Sequence, residues 1–230
     1  MAVLNWCKRR NAIEMQVGEI TRDMWRGRSA NGQIRYRNLV TGATRDDLPQ
    51  LSRGAIVQPQ VGVNNTVVMC EFLASEMAPA DLALIVAPPT SREKWKTCSA
   101  AHPKLVPAVD PALKTGPNAL GGINVVIIGS DDLVPALAGR SAIGTLSWAY
   151  LIVDGGDFLA DPRQGMNVNA VTRLKAASRW ALPAETMRLT KTSVPAICAA
   201  LKLCPDLYDA CSERHLAHLE REIAPTEIPR

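Results

Sequence analysis

One acidic side chain stands where a strand-end catalytic carboxylate would be expected. Asp154 directly follows the apolar residues Leu151-Ile152-Val153, and Asp157 lies three residues further along the chain. Carboxylates in such positions act as acids, bases or nucleophiles in many enzymes. The sequence contains neither GxxxxGK[ST] nor GxGxxG, the two common phosphate-binding patterns. We therefore interpret Asp154 as a turn residue and keep as an alternative an α/β hydrolase or transferase that uses Asp154 or Asp157.

A second set of side chains has the chemistry of a metal site. Cys211, His215 and His218 share one face of a predicted helix, at spacings of four and three residues, and Cys204 precedes them by a short loop. Thiolates and imidazoles suit tetrahedral Zn²⁺, but this spacing matches no common zinc module. We predict an amphipathic helix with two solvated histidines, and no cofactor. Zinc held by these four residues is the alternative.

The positive charge of the chain is concentrated near its N-terminus. Residues 1–53 contain ten Lys and Arg against five Asp and Glu, whereas residues 54–230 contain sixteen against seventeen. Basic and aromatic side chains alternate there in a pattern that favours contact with phosphates and bases, or with an acidic neighbouring subunit. The predicted contact residues are Arg22, Trp25, Arg26, Arg28, Arg35, Tyr36 and Arg37.

Three apolar runs in the middle of the chain predict the core. They span 81–87, 123–129 and 145–153, are rich in Val, Ile and Leu, and each ends at a turn-forming sequence. Runs of this kind are typical of buried strands. A helix is predicted over 90–101, and the loop 102–121 contains four prolines that make it stiff. We expect a mixed sheet flanked by helices.

The flanking segments are less regular. Apolar residues at spacings of three and four predict an amphipathic helix over 8–26, and a helix is also predicted over 64–78. Residues 33–61 are predicted to form a long, polar β-hairpin or an extended loop, with Pro59 confining the second arm to a sheet edge. Residues 166–190 fit a strand and a helix almost equally well, so both remain open.

Composition indicates a soluble, unsecreted protein. The chain has 230 residues, of which 47% are hydrophobic, enough for a sizeable core. Its longest apolar runs are far shorter than the roughly 20 residues that a membrane-spanning helix needs. The six cysteines form no CxxC pair, which is typical of free thiols in a reducing compartment.

The order of these elements resembles the major capsid protein fold of tailed bacteriophages, which encapsulins share. ADLALIVAPPTSREKWKTC is similar to that family's strand, polar turn and helix, and ALGGINVVIIGSDDLVPAL to its following strand and proline. IGTLSWAYLIVDGGDF resembles the strand that leads back out, and MNVNAVTRLKAASRWALPAETMRLT the family's ending. The resemblance covers roughly 80–190, with a weaker echo over 1–78.

This resemblance implies an α+β fold of the tailed-phage capsid type, with an axial domain, an extended hairpin loop, a spine helix and an N-terminal arm. The implied segments are an arm (1–32), a hairpin loop (33–61), a spine-like helix (62–79), an axial-type α/β domain (80–165), a return to the peripheral domain (166–192) and a helical tail (193–230).

The implied function is structural: self-assembly into an icosahedral phage-like shell that encloses the genome, with no enzymatic activity. The implied partners are copies of the chain in hexamers and pentamers, portal or other virion proteins, and packaged double-stranded DNA on the inner face, with no membrane. The implied location is the virion, assembled in the host cytoplasm. Acceptors for another subunit's arginines would be Asp131, Asp132, Asp154 and Asp157. A nucleic-acid-binding module built on Trp25–Arg37 is a further alternative.

Overall fold

The computed structural model describes residues 2–11, 25–38, 42–47, 53–59, 62–109, 120–138, 142–156, 159, 165–184, 197 and 199–202. The helices in these ranges are α1 (Ala2–Asn11), α2 (Asn65–Glu76), α3 (Arg92–Ala100), α4 (Leu133–Ala138), α5 (Ala142–Thr145) and α6 (Gly165–Arg173). The strands are β1 (Trp25–Ala30), β2 (Gln33–Asn38), β3 (Thr44–Arg45), β4 (Gly54–Ile56), β5 (Ala83–Ala87), β6 (Pro107–Val109), β7 (Val125–Gly129), β8 (Ser147–Asp154) and β9 (Lys175–Leu182).

Six of the strands form one sheet in the order β4-β9-β8-β5-β7-β6. Every neighbouring pair in this sheet is parallel. Parallel neighbours need crossover connections, and in this sheet helices supply several of them. The predicted mixed sheet and the predicted α+β fold of the capsid type are therefore wrong, and the fold is α/β.

The three central strands lie where the apolar runs predict them. β5 and β7 are buried at every position, and β8 is buried at most of its positions. Strands covered on both faces read as continuous apolar runs, which explains why the sequence identified them. The predicted helices over 64–78 and 90–101 are confirmed as α2 and α3.

Helices cover both faces of the six-stranded sheet. On one face, Leu84 and Val86 of β5 pack with Leu133 of α4 and Val171 of α6. On the other, Ile85 of β5 belongs to a cluster with side chains of α1, α2 and α3, namely Cys7, Phe72 and Trp95. Because neighbouring side chains of a strand point to opposite faces, one apolar run serves both layers. The result is a three-layer helix–sheet–helix arrangement.

A second, small sheet has the order β1-β2-β3 and is antiparallel. Asn31 and Gly32 connect β1 to β2 and have positive φ angles of 51° and 75°. An Asn-Gly pair with both angles positive is the favoured two-residue hairpin turn. The predicted hairpin over 33–61 is therefore wrong in its pairing. Gln33–Asn38 pairs with the preceding strand, Trp25–Ala30, and Gly54–Ile56 belongs to the large sheet.

Other predictions are settled in part. The segment 166–190 contains both of the alternatives in succession, α6 and then β9. The loop 102–121 contains the edge strand β6, which begins at Pro107, a place where a sheet tolerates proline. Most of the predicted helix over 8–26 lies outside the described residues, and its last two residues begin β1.

The six-segment division of the chain stays a prediction. The large sheet draws its strands from the segments 33–61, 80–165 and 166–192. No helix within the described ranges combines the length and apolar character that crossing a membrane requires.

Candidate functional site

A cleft of about 420 Å³ opens at the carboxyl ends of the parallel strands. In open parallel sheets this edge is where ligands bind, because the loops there leave crevices between strands. The loop after β4, the start of α3, and the ends of β8 and β9 all contribute to it. Its lining consists of Gly62, Val63, Asn64, Asn65, Thr66, Lys94, Asp154, Leu182 and Pro183.

The loop after β4 leads directly into the N-terminus of α2. Asn64 is the N-cap residue, with extended angles of φ −89° and ψ 97°, and its side chain makes no capping hydrogen bond. The first N–H groups of a helix have no partner within the helix, and they give this end a partial positive charge. The uncapped start of α2 is thus oriented to accept an anion from the cleft.

Asn65 turns its side chain back onto the loop. Its Nδ2 lies 3.5 Å from the carbonyl oxygens of both Val57 and Gln58 and donates weakly to them. Its Oδ1 is buried without a hydrogen-bond partner in the described part of the chain. The following residue, Thr66, is buried at the base of the helix. Asn65 therefore braces the loop through its amide and brings no charge to the cleft.

Asp154 is the last residue of β8 and is held in a fixed orientation. Its Oδ2 accepts a hydrogen bond of 2.7 Å from Nε1 of Trp95 and one of 2.9 Å from Oγ of Ser91. Both donors lie in the segment just after β5, which is one of the two parallel neighbours of β8. Sheet topology thus brings together side chains about sixty residues apart. Asp154 is more than a turn residue, because two donors position its carboxylate at the cleft.

The backbone after Asp154 is compact. Gly155 has a φ of 66°, and a Cβ at this position would lie 3.0 Å from Cγ of Pro88. A Cβ at Gly156 would lie 3.2 Å from Cβ of Ala181 on β9. Glycine at both positions lets the chain leave β8 between its two neighbours. Asp157, the other predicted catalytic carboxylate, lies outside the described residues.

The predicted basic contact residues fall mainly on the small sheet. In the β1–β2 register Arg26 is opposite Arg37, and Arg28 is opposite Arg35. Alternate residues of a strand share a face, so these four arginines lie on one face of the hairpin. We call it the arginine face. Arg22 of the predicted set lies outside the described residues.

The aromatic residues of the same set lie on the opposite face. Trp25 is 1% exposed, and the guanidinium of Arg45 lies 5.9 Å from the centre of its ring. Tyr36 sits opposite Gly27, where a Cβ would come within 3.3 Å of the tyrosine ring. Trp25 is therefore a packed residue in this structure, and its predicted contact role stays a prediction.

The other predicted site residues have partners within the chain or lie outside its described part. Asp132 forms an ion pair of 3.5 Å with Arg92, and Asp131 accepts a hydrogen bond of 3.4 Å from Ser130. The candidate zinc ligands all fall beyond the described residues: Cys204, Cys211, His215 and His218. Within the described ranges no three His, Cys, Asp or Glu side chains are grouped as a metal site requires.

Comparison with known proteins identifies the fold. No protein-family model matches the chain, and no curated protein matches it. Among solved structures, the SWI2/SNF2 ATPase core of Sulfolobus solfataricus in complex with double-stranded DNA superposes with a TM-score of 0.55 at 15% identity, over 74% of this chain and 39% of that one. The ATPase core domain from the same organism gives 0.54 at 16% identity, over 74% and 38%. The chain shares the fold of these ATPase cores. It spans about two-fifths of the length of each.

This finding corrects the functional predictions. The resemblance to phage capsid proteins is wrong, and so is the shell function inferred from it. The predicted shell partners, copies of the chain in hexamers and pentamers with portal proteins, are contradicted on the same ground. The expectation of a non-enzymatic protein is contradicted too, because both neighbours are ATPase cores.

The segment between β4 and α2 can be compared with a phosphate-binding loop. A P-loop connects a strand to a helix and reads GxxxxGK[ST], with Lys reaching the phosphates and Ser or Thr reaching Mg²⁺. Between β4 and α2 the corresponding residues are Asn64, Asn65 and Thr66. Only the threonine fits the pattern, so a search that requires Gly-Lys passes over this loop. Its position in the chain, strand then loop then helix, is the signal that remains.

Proposed function

We propose that this chain is a nucleoside-triphosphate-binding domain of an ATPase of the SWI2/SNF2 core type. One observation carries the proposal: a single cleft, at the carboxyl edge of a parallel sheet, joins the uncapped start of α2 to the oriented carboxylate of Asp154. A phosphate-binding helix start beside a strand-end acid is the arrangement that nucleoside triphosphatases use.

In this proposal the phosphates of the nucleotide bind at the start of α2. The N–H groups of its first turn donate to phosphate oxygens, and the helix dipole favours their negative charge. Gly62, with a φ of 76°, shapes the loop just before this point. The loop therefore keeps the backbone part of a phosphate site although two of its side chains differ from the usual pattern.

The side chains present fit a magnesium ion beside the phosphates. In nucleoside triphosphatases with a P-loop, Mg²⁺ is held by the Ser or Thr at the helix start and by a strand-end Asp. Thr66 and Asp154 are residues of these types, and both line the cleft. When bound, the ion neutralises charge on the phosphates. Ser91 and Trp95 donate hydrogen bonds to Oδ2 of Asp154 and so fix the orientation of its carboxylate.

Lys94 supplies the positive side chain that the loop does not. Asn65 occupies the position of the usual P-loop lysine, and its amide is directed to the carbonyls of Val57 and Gln58. Lys94, on α3, is exposed and lines the same cleft. An ammonium group on a flexible stem can reach phosphate oxygens as a point charge. We assign Lys94 to the bound phosphates.

Duplex DNA is part of the proposal as a partner. One of the two similar ATPase cores was solved in complex with double-stranded DNA. The arginine face of the small sheet is consistent with such a partner, because it concentrates positive charge on one surface.

The test compares two lysines of the same helix. Lys94→Ser should weaken binding of Mg²⁺–ATP to the full chain about tenfold or more, since a hydrogen bond to a charged group contributes about 1.5–3 kcal/mol. Lys96→Ser is the matched control, because Lys96 pairs with Glu93 at 3.7 Å and does not line the cleft. Isothermal titration calorimetry measures both affinities, and phosphate release is followed in parallel.

Chelation of Mg²⁺ should weaken ATP binding by the unmodified chain and should abolish phosphate release. Absence of saturable ATP binding by that chain would overturn the proposed function. Equal affinities for the Lys94→Ser and Lys96→Ser variants would remove only the role given to Lys94.

A further inference from the structure

The arginine face is an unusual arrangement for a two-stranded hairpin. Arg26 is directly opposite Arg37, and Arg28 is directly opposite Arg35. Like charges opposite each other in an antiparallel pair are destabilising. The hairpin is kept in this register by its Asn31-Gly32 turn and by the contact of Gly27 with Tyr36 on its other face. The four arginines are thus held close together in a fixed register despite the repulsion between their charges.

The charges of this face are little compensated inside the described part of the chain. Asp46 accepts a hydrogen bond of 2.7 Å from Nε of Arg35, and both side chains are largely exposed. An exposed pair of this kind contributes little to stability and is easily exchanged for another partner. Nε of Arg26 is buried without a hydrogen-bond partner among the described residues. Arg28 and Arg37 are exposed. The three exposed arginines therefore offer donors and charge to an anion, whereas the buried Nε of Arg26 does not.

The spacing of the arginines fits a chain of phosphates better than a single anion. Residues two apart on a strand are separated by roughly 6.8 Å, and opposite residues by about 5 Å. A duplex presents one phosphate charge per about 3.4 Å of axis on each strand. A grid of four guanidinium groups on this scale can contact several phosphates of one backbone together. Arginine also donates to phosphate through two parallel hydrogen bonds.

We infer that the arginine face binds the sugar–phosphate backbone of duplex nucleic acid. This inference adds a contact surface to the proposed function, which already includes duplex DNA as a partner. It rests on the proposed function only for the choice of a duplex as the ligand. Contacts of this kind position a duplex without reading its sequence. Trp25 and Tyr36, which pack on the other face, take no part in it.

The experiment compares two double variants that lose the same charge. Arg28→Ser/Arg37→Ser removes two exposed members of the face, whereas Lys96→Ser/Lys104→Ser removes two exposed lysines from the body of the domain. Affinity of the full chain for a fluorescent duplex of random sequence is measured by anisotropy over a series of salt concentrations. Each phosphate contact contributes about 0.9 to the slope of log affinity against log salt.

We expect the arginine variant to lower that slope by about 1.8 and the lysine variant to leave it unchanged. Equal slopes for the two variants would overturn the assignment to this face, even when the unmodified chain binds DNA. Absence of duplex binding by the unmodified chain would overturn both the face and the DNA partner. Tighter binding of poly-glutamate than of the duplex would show an acidic protein ligand and reject the nucleic acid. Circular dichroism of each variant confirms that the fold is kept.

ATP affinity of the same variants separates this inference from the proposed function. The arginine face lies on the small sheet and the cleft on the large one, so Arg28→Ser/Arg37→Ser should bind Mg²⁺–ATP as the unmodified chain does. Loss of DNA binding with unchanged ATP binding supports the face. Joint loss of both would show that the two variant positions disturb the whole domain and would reject the assignment.

Discussion

At the scale of single residues, burial decides what Cys70 can do. Its side chain is fully buried in α2, and its Sγ lies 3.6 Å from Oγ of Ser99 on α3. Burial raises the pKa of the Cys70 thiol from 9.0 to about 12, against a smaller opposing effect of Ser99. A thiol with this pKa is neutral at physiological pH, and the thiolate is the form that reacts. Cys70 is a packing residue.

This pKa predicts how stability depends on pH. Between pH 9.0 and about 12 the unfolded chain releases the thiol proton while the folded chain keeps it. The free energy of unfolding should therefore fall as pH rises through this window, by at most about 1.4 kcal/mol per pH unit from this group. Urea denaturation at increasing pH measures the effect, with Cys70→Ala as the reference that lacks the thiol. Parallel curves for the two proteins would contradict the prediction.

Asp154 shows why single residues resist prediction from sequence. The pattern of an apolar run followed by an acid identified the residue, but it fits a turn as well as a site. The deciding contacts, with Ser91 and Trp95, are made across two neighbouring strands. No local pattern encodes them, because they depend on which strands are adjacent. Asn64 and Asn65 add the opposite difficulty. They line the cleft, but they do not match the Gly-Lys of the usual phosphate-binding pattern.

At the scale of elements, β4 depends on one glycine. Gly54 has a φ of 104°, and a Cβ there would lie 1.8 Å from the carbonyl oxygen of Arg179 on β9. The two strands are parallel neighbours, with Gly54 opposite Arg179. Neither the backbone angle nor the backbone contact admits a side chain. The short strand can therefore lie against β9 only with glycine at this position.

Gly54→Ala should consequently destabilise the chain by about 3 kcal/mol or more, through backbone strain and separation of β4 from β9. Gly121→Ala is the control, because a Cβ at Gly121 meets no atom within 4 Å. Thermal unfolding of both variants measures the difference. Similar midpoints would show that β4 contributes little to the stability of the sheet.

The elements differ in how well the sequence predicts them. β5, β7 and β8 are long apolar runs buried on both faces, so their pattern is strong. β4 has three residues and β6 also has three, too few for any periodicity to be visible. β1 lies in WRGRSA, whose residues favour turns as much as strands. The Asn31-Gly32 turn was the available signal for pairing it with β2.

At the scale of the whole molecule, one buried arginine joins three parts of the fold. Arg179 of β9 is 1% exposed. Its guanidinium donates hydrogen bonds to the carbonyl oxygens of Val171 at 3.0 Å and Ala200 at 2.8 Å, and also to that of Leu174. These acceptors lie in α6, in the residue after it and in the segment 199–202. The side chain thus fixes the C-terminal part of the described chain to the sheet.

Replacing this side chain should destabilise the domain as a unit. Arg179→Met removes the guanidinium donor from three carbonyl groups, of which that of Val171 still accepts from the backbone N–H of Leu174 at 3.3 Å. Each buried acceptor left unpaired costs about 1–3 kcal/mol, so we expect a loss of about 2 kcal/mol or more from the other two. Arg173→Met is the control, because Arg173 is exposed on α6. Urea denaturation monitored by tryptophan fluorescence gives both values. A loss below 1 kcal/mol in the Arg179 variant would show that water replaces the guanidinium.

The architecture of the whole chain was the hardest level to predict. The apolar runs indicate that a buried sheet exists, but they do not give its strand order or direction. The parallel order places β9, a late strand, between β8 and the early β4. That arrangement creates the cleft, because it brings the loop after β4 next to the ends of β8 and β9. The order of predicted strands and helices along this chain resembled that of the capsid-type fold, and that order alone led to the wrong architecture.

The contact between Gly155 and Pro88 has a consequence for how this protein can change over generations. Any larger residue at 155 meets both a positive φ angle and the proline ring 3.0 Å from its Cβ. A substitution at 155 alone is therefore disfavoured. Earlier replacement of Pro88 by a smaller residue would remove the steric part of the cost but would leave the cost of the positive φ angle. The two positions should vary together among descendants of this sequence, with position 88 changing first. The order in which residues 88 and 155 can be replaced is therefore constrained.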